Sequence, residues 1–319
     1  MKFSVKTKNS DYTFDTVPIE GSNVLLLNRL PVFGFVISLA FFTTTVLSSD
    51  NQSKFSFAGF GQVIGGQLDT DKATYHGYDN SISFDQESLI GIQADYTFND
   101  YIALSGQAVA YTDEFKESGL EWLFLNITPS KRWQLKIGRH KTPFFNYSDS
   151  VDVGFTYPWV TLPQQVYNYY IFRSFEGAFL RYDVPSKSVA LNFEAYWGNF
   201  DDDYYIGVDT VDVNVNDLSG LITNVAISDF SFRFSYHQGD ANVTLQGLTD
   251  FSDVLRQYGF EKSADSLQID GQLEFYQASA NYETPLLFVR SEWTRIAPNF
   301  LIVPDLRAYY ISAGFYQYP

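Results

Sequence analysis

The reading of the fold turns on Ile90–Ala110, IGIQADYTFNDYIALSGQAVA. Ile90, Ile92, Ala94, Tyr96 and Phe98 alternate with Gly91, Gln93, Asp95 and Thr97. Asn99-Asp100 then makes a tight turn. After it, Ile102, Leu104, Gly106, Ala108 and Ala110 oppose Ala103, Ser105, Gln107 and Val109. The period is two rather than 3.6, so each half is a strand with one apolar face and one more polar face. The pattern returns at Val189, Leu191, Phe193, Ala195 and Trp197, set against Asn192, Glu194 and Tyr196. It returns again at Phe230, Phe232, Phe234 and Tyr236, set against Ser231, Arg233, Ser235 and His237.

The connections carry a second regularity. Short turns fall at 99–100, 129–132, 185–187, 228–229 and 284–285. Longer polar links fall at 66–87, 112–118, 142–171, 199–217, 238–266 and 297–305. Short and long alternate along the chain, so all long links leave from one end of the sheet. Transmembrane barrels have this asymmetry, whereas a soluble sandwich or propeller has no reason for it. The expected fold is therefore all-β, an antiparallel transmembrane β-barrel with about twelve strands of roughly ten residues each. Leu120–Thr128 carries large apolar groups on both faces, and its outward side is read from Leu123, Leu125 and Ile127. Asp250–Tyr258, within a long link, has the pattern of a short outer helix.

Composition supports this architecture. The 319 residues include 30 Phe and 23 Tyr, and aromatics make up 18%, yet mean hydropathy is only -0.14. Alternating lipid-facing and lumen-facing residues average to such a value, while aromatic girdles raise the ring content. There is no Cys, which excludes disulfides and thiolate metal sites. The net charge of -16 excludes a nucleic-acid partner, which requires a basic footprint.

Leu30–Leu47 is an apolar run ending in Ser48-Ser49, and residues 30–49 read as the hydrophobic region of a signal peptide within a leader of 1–49. The barrel is then expected over 50–319. The polar segment before Asn28 is longer than an ordinary signal start, which points to a start codon placed too early.

Chemistry in such a fold lies on the inner wall. The link 142–171, TPFFNYSDSVDVGFTYPWVTLPQQVYNYYI, is aromatic, poor in charge and stiffened by Pro143, Pro158 and Pro163. Its rings need a surface to pack on, so it is expected to fold inward and narrow the lumen. Lys136, Lys141, Arg173, Arg181, Arg233, Arg290 and Glu292, with Asp149 and Asp152 from the loop, form the expected pore lining. Arg307 is a further candidate for a basic wall. Opposed rows of cations and carboxylates would set a transverse field. A single Arg on the wall can equally reach a lipid headgroup, and the loop can equally cap the barrel or join an oligomer contact. Asp201, Asp203 and Asp209, in an acidic link, are a weak Ca²⁺ candidate whose spacing does not match an EF-hand. No other metal and no cofactor is expected.

The stretches LKIGRHKTPFF (135–145), DVGFTYPWVTLPQQVY (152–167) and FRSFEGAFLRYD (172–183) resemble a family of Gram-negative outer-membrane porin-like proteins, distantly related to phosphate-selective porins. The ending SEWTRIAPNFLIVPDLRAYYISAGF is similar to that family as well. The resemblance runs from Phe55 to Phe315 and is sharp over Leu135–Asp183. It implies a sixteen-stranded trimeric barrel passing small hydrophilic solutes or ions, embedded in outer-membrane lipid and lipopolysaccharide. It also implies that Lys136, Arg139, Lys141 and Arg173 lie near the constriction. The lysine ladder of the phosphate-selective members is not visible. The visible strands fall short of sixteen and the chain ends Gln317-Tyr318-Pro319, so an incomplete barrel is expected.

Two other readings stay open. A surface receptor or adhesin would use the same barrel with its loops as ligands. A barrel hydrolase would need a nucleophile beside a base, but the three histidines, His76, His140 and His237, have no Gly-x-Ser-x-Gly partner motif.

Overall fold

Asn99 shows how the sequence builds this sheet. Its side-chain oxygen accepts the backbone N–H groups of Tyr101 (2.9 Å) and Ile102 (3.0 Å), which closes the turn and fixes the register of both flanking strands. The computed structural model describes residues 3–7, 10–14, 35–40, 54–113, 116–168, 172–205 and 210–316.

In chain order the strands are β1 (Phe3–Thr7), β2 (Ser10–Phe14), β3 (Phe35–Ala40), β4 (Phe55–Gly65), β5 (Leu89–Asn99), β6 (Ile102–Tyr111), β7 (Gly119–Ser130) and β8 (Trp133–Lys141). They continue as β9 (Ser174–Val184), β10 (Ala190–Tyr205), β11 (Thr210–Ile227), β12 (Phe230–Thr244), β13 (Ile269–Glu283), β14 (Leu287–Pro298) and β15 (Leu306–Phe315). The first two pair with each other, and β3 to β15 form one sheet in which every strand pairs antiparallel with its neighbour in sequence. Twelve strands, β4 to β15, therefore run from Phe55 to Phe315. Within the expected leader, β3 pairs along the edge of β4, and most of 1–49 lies outside the described residues.

The sheet is curled into a barrel wall around the β8–β9 loop. That loop sets Gly154 against the Gln62 side chain of β4 and donates the Trp159 indole N–H to Ser312 Oγ of β15 at 3.2 Å. Strands at opposite ends of the sheet order can touch one short segment only if the sheet wraps around it.

The two faces are inverted relative to a water-soluble protein. Ile90 is 57% exposed, Trp197 58%, Leu221 65% and Ile311 75%, while inward-facing His237 and Glu292 are 1% and 2% exposed. Burying such an apolar side chain is worth about 1.5–3 kcal/mol, so this exterior is stable in hydrocarbon and not in water. Among the described residues no helix is long and apolar enough to cross a membrane.

Two expected long links are shorter than the sequence indicates. In 199–217 the strands continue, β10 to Tyr205 and β11 from Thr210. Val211, Val213 and Val215 alternate with Asp212 and Asn214, and all three valines are buried. In 238–266, β12 continues to Thr244 before α2 (Gln246–Gln257) and α3 (Glu261–Asp265). The expected helix is therefore present and starts earlier. Leu123 is exposed, as read for β7.

Between β8, β9 and β10 the register pairs Gly138 with Gly177 and Gly177 with Gly198. A Cβ at Gly177 would collide with the Trp197 carbonyl oxygen, and one at Gly198 with that of Glu176. Gly138 has φ +139°, a conformation that disfavours any side chain. This glycine row lets the backbones approach closely where the wall bends around the loop.

We expect Leu221→Lys to destabilise the membrane-inserted protein by about 2–4 kcal/mol, the cost of a cation on the lipid face. Gln93→Lys, on the inner face beside Asp95 (3.1 Å), should be tolerated. Urea unfolding in lipid bilayers measures both, and equal losses would contradict the assignment of the faces.

Candidate functional site

The β8–β9 loop begins at Thr142, whose N–H donates to the Arg173 carbonyl at 2.9 Å and whose hydroxyl donates to the Phe172 carbonyl. These contacts draw the two stems together. Phe144 stacks on Phe275 (4.9 Å) and meets Phe172 edge-on (5.1 Å), and Phe145 packs on Tyr167 (4.9 Å). Two short 3-10 turns (148–150 and 154–156) and the one-turn helix α1 (Gln164–Tyr167) complete it. The loop therefore lies inside the barrel, as its ring content requires, and packs against the wall from β9 to β15. Residues 169–171 lie outside the described set.

Two polar clusters hold it. At the first, Asp152 from the middle of the loop contacts Lys141, the last residue of β8, and Arg173, which precedes β9, at 2.6 Å. Lys141 also faces Glu121 at 3.4 Å. Tyr111 donates to Glu121 (2.8 Å) and accepts from Arg173 (2.8 Å). Burial, the largest influence on Asp152, would raise its pKa. The charges of Arg173 and Lys141 and their hydrogen bonds outweigh it and hold the carboxyl well below the usual aspartate range.

The second cluster centres on Glu292 of β14. It accepts the Asn146 backbone N–H (2.8 Å), the Tyr167 hydroxyl (2.7 Å) and the Gln277 amide (3.0 Å). Gln277 in turn accepts from Arg233 (2.8 Å), and Arg233 donates to the carbonyls of Pro143 and Phe144. Arg290 donates to the Tyr147 hydroxyl (3.0 Å) and to Glu283 (2.9 Å).

The residues singled out from sequence thus divide. Arg233, Arg290 and Glu292 are buried beneath the loop and serve as its anchors. Lys141, Asp152 and Arg173 come together in direct contact rather than as rows opposed across open space, because Asp152 reaches back to the loop's own stems. Arg139 reaches Asp202 at 3.8 Å, and Arg181 pairs with Asp183 (2.8 Å) and Glu194 (3.6 Å). Arg307 meets Asp305 at 3.4 Å. Lys136 lies over the rings of Phe124 (4.9 Å) and Phe179 (5.3 Å), with no ion-pair partner among the described residues. Asp149 is exposed in the first 3-10 turn of the loop, and Glu194 feels its charge together with those of Arg233, Arg181 and Lys136. Asp201 is exposed; the Asp203 side chain and Asp209 lie outside the described residues.

Sequence reading missed Tyr111, Glu121, Asn146, Tyr167 and Gln277. Glu121 faces inward because a bulge shifts the register between β6 and β7, and a bulge re-aims a side chain against strict alternation. Gln277 sits on the polar face of an alternating run and was findable. Asn146 acts through its backbone N–H toward Glu292, which no side-chain pattern signals.

Above the loop, on the side of the long links, lies a cavity of about 1080 Å³ bounded by β4 to β10, the loops that follow β4 and β6, and the inward loop itself. Two of the three histidines are enclosed by the wall and the loop. His237 contacts Ser235 Oγ (2.8 Å) and Tyr196 Oη (2.7 Å) and lies buried under Phe144. His140 is stacked between Phe124 (5.1 Å) and Phe175 (5.2 Å).

No protein-family model matches the chain, and no curated protein sequence does either. Among solved structures it is similar to the outer membrane protein OmpT of Vibrio cholerae in its trimer form, at 13% identity over 82% of this chain and 84% of that one, with a TM-score of 0.38. It is also similar to the outer membrane channel DcaP of Acinetobacter baumannii, at 11% identity over 82% and 68%, with a TM-score of 0.40. An anion-selective porin from Comamonas acidovorans matches at 9% identity over 82% and 83%, with a TM-score of 0.34. At these values the backbones superpose only in part, and none of the three lends this chain a function or a site.

Asp152→Asn removes the anion that buried Lys141 and half-buried Arg173 share and leaves Lys141 with Glu121 alone, a loss of up to about 3 kcal/mol for a pair that is only partly buried. We expect a loosened loop, read as faster protease cleavage between Phe144 and Phe172. The same contact should resist mild acid. A carboxyl with a lowered folded pKa contributes stability above its ordinary pKa of about 4, and loses it only as pH falls through the folded value. Protease protection that vanished well above pH 4 would contradict the assignment.

Proposed function

We propose that this chain is an outer-membrane porin through which small hydrophilic solutes or ions diffuse passively. The observation that carries the reading is the loop between β8 and β9, folded inside the barrel and fastened to the wall by Asp152 and Glu292. A loop fixed there narrows a passage without closing the cavity of about 1080 Å³ above it. The aperture we assign lies between the loop, with its exposed Asp149, and the wall that carries Lys136, Arg181 and Glu194. The apolar exterior contacts outer-membrane lipid and lipopolysaccharide. Trimeric association, which the resemblance to porin-like proteins implies, belongs to the same proposal. Chemical cross-linking in native membranes checks that association.

A surface-receptor reading has one observation in its favour. The outer helices α2 and α3 and their link present Phe251, Val254, Tyr258 and Phe260 exposed. The pore reading is preferred because a receptor does not need a loop bolted across its lumen.

The test is single-channel current in a planar bilayer. Steady open channels are expected, with larger or noisier conductance in Asp152→Asn. Silence from a correctly folded, heat-modifiable barrel would overturn the reading and bring the receptor forward.

A further inference from the structure

We infer that the pore selects small cations, inorganic or amine-bearing, over anions of equal size, and that the outer cavity and not the basic wall sets this preference. This inference rests on the pore reading above. Taken one by one, the cations of the inner wall are already occupied. Lys141 and Arg173 share Asp152, and Lys141 also meets Glu121. Arg139 faces Asp202, and Arg181 lies between Asp183 and Glu194. Arg233 and Arg290 are consumed in fastening the loop and are covered by it. Lys136 remains, lying over the rings of Phe124 and Phe179. The wall is rich in basic residues, and most of them are already paired or covered.

The outer cavity differs. Its lining holds Asp85, Glu87, Asp113 and Glu117 from the loops, then Glu121, Asp152 and Asp202 from the barrel and the inward loop. Against these seven carboxylates stand Lys116, Arg139 and Arg173 in the lining and Lys141 directly behind it on Glu121 and Asp152, which leaves an excess of three negative charges. Lys116 serves both Glu87 (3.1 Å) and Asp113 (3.7 Å). Asp85 and Glu117 are exposed and have no cation in ion-pair contact among the described residues. A concave surface of one sign with low-dielectric walls focuses its field and enriches counter-ions at the mouth. Tyr111, Tyr157 and Phe200 in the same lining add ring faces that favour cations.

The experiment is the reversal potential of the full-length protein in a planar bilayer under a KCl gradient. The potential should take the sign of K⁺ preference. It should shrink toward zero as ionic strength rises, because the screening length falls from about 10 Å at 0.1 M to about 3 Å at 1 M. The double variant Asp85→Asn with Glu117→Gln, both on exposed loops and neither bonded to the residues that fasten the inward loop, should lower the permeability ratio about twofold by weakening the focused field. Lys136→Gln should raise it. Steady channels that prefer Cl⁻ would overturn this inference and leave the pore reading intact. Cation preference unchanged in the double variant would overturn its assignment to the outer cavity. Silence would overturn the pore reading and this inference with it.

Discussion

A carboxylate in the middle of a loop, gripped by the two residues at that loop's ends, is the contact on which this structure depends. Asp152 joins Lys141 and Arg173, so the segment is closed on itself before it touches the far wall. Removing two cations and an anion from water is costly, and only close geometry with further hydrogen bonds offsets the loss. Tyr111 and Glu121 supply those bonds from β6 and β7. Glu292 then accepts from Asn146 and Tyr167 of the loop and from Gln277 and Tyr310 of the wall. The aromatic packing of Phe144 and Phe145 follows from this restraint, because a tethered loop can bring its rings to only one surface.

The fold was largely legible because alternation is a local property. Ile92 outside and Gln93 inside, or Phe234 outside and Arg233 inside, follow from period two alone and hold in the structure. The turn at Asn99 was legible for the same reason. The inward loop could be read from its composition, since so many rings with so few charges cannot remain in water. Strand ends were less legible. The acidic residues around Asp201 and Asp212 looked like a solvated link, yet the valines between them kept a strand's rhythm, and burial of those valines decided the outcome.

The candidate site was legible in its members and not in their pairing. Lys141, Asp152 and Arg173 were all singled out, but sequence places them far apart and gives no sign that they touch. Opposed rows were the natural expectation, and long-range closure of the loop replaced them with a salt-bridged knot. Arg233 and Arg290 read as lining for the same reason: inward direction follows from period, whereas coverage by another segment does not. Glu121 illustrates a different limit, since one extra residue in β7 reverses the face that counting assigns.

The glycine row at Gly138, Gly177 and Gly198 carries a mechanical consequence. Three neighbouring strands lack side chains at one level, so backbone meets backbone there with no layer of side chains between. A methyl group added at any of the three would have to push a neighbouring strand away. The spacing of the wall at this level is therefore set by main-chain contact, which no side-chain rotation can adjust.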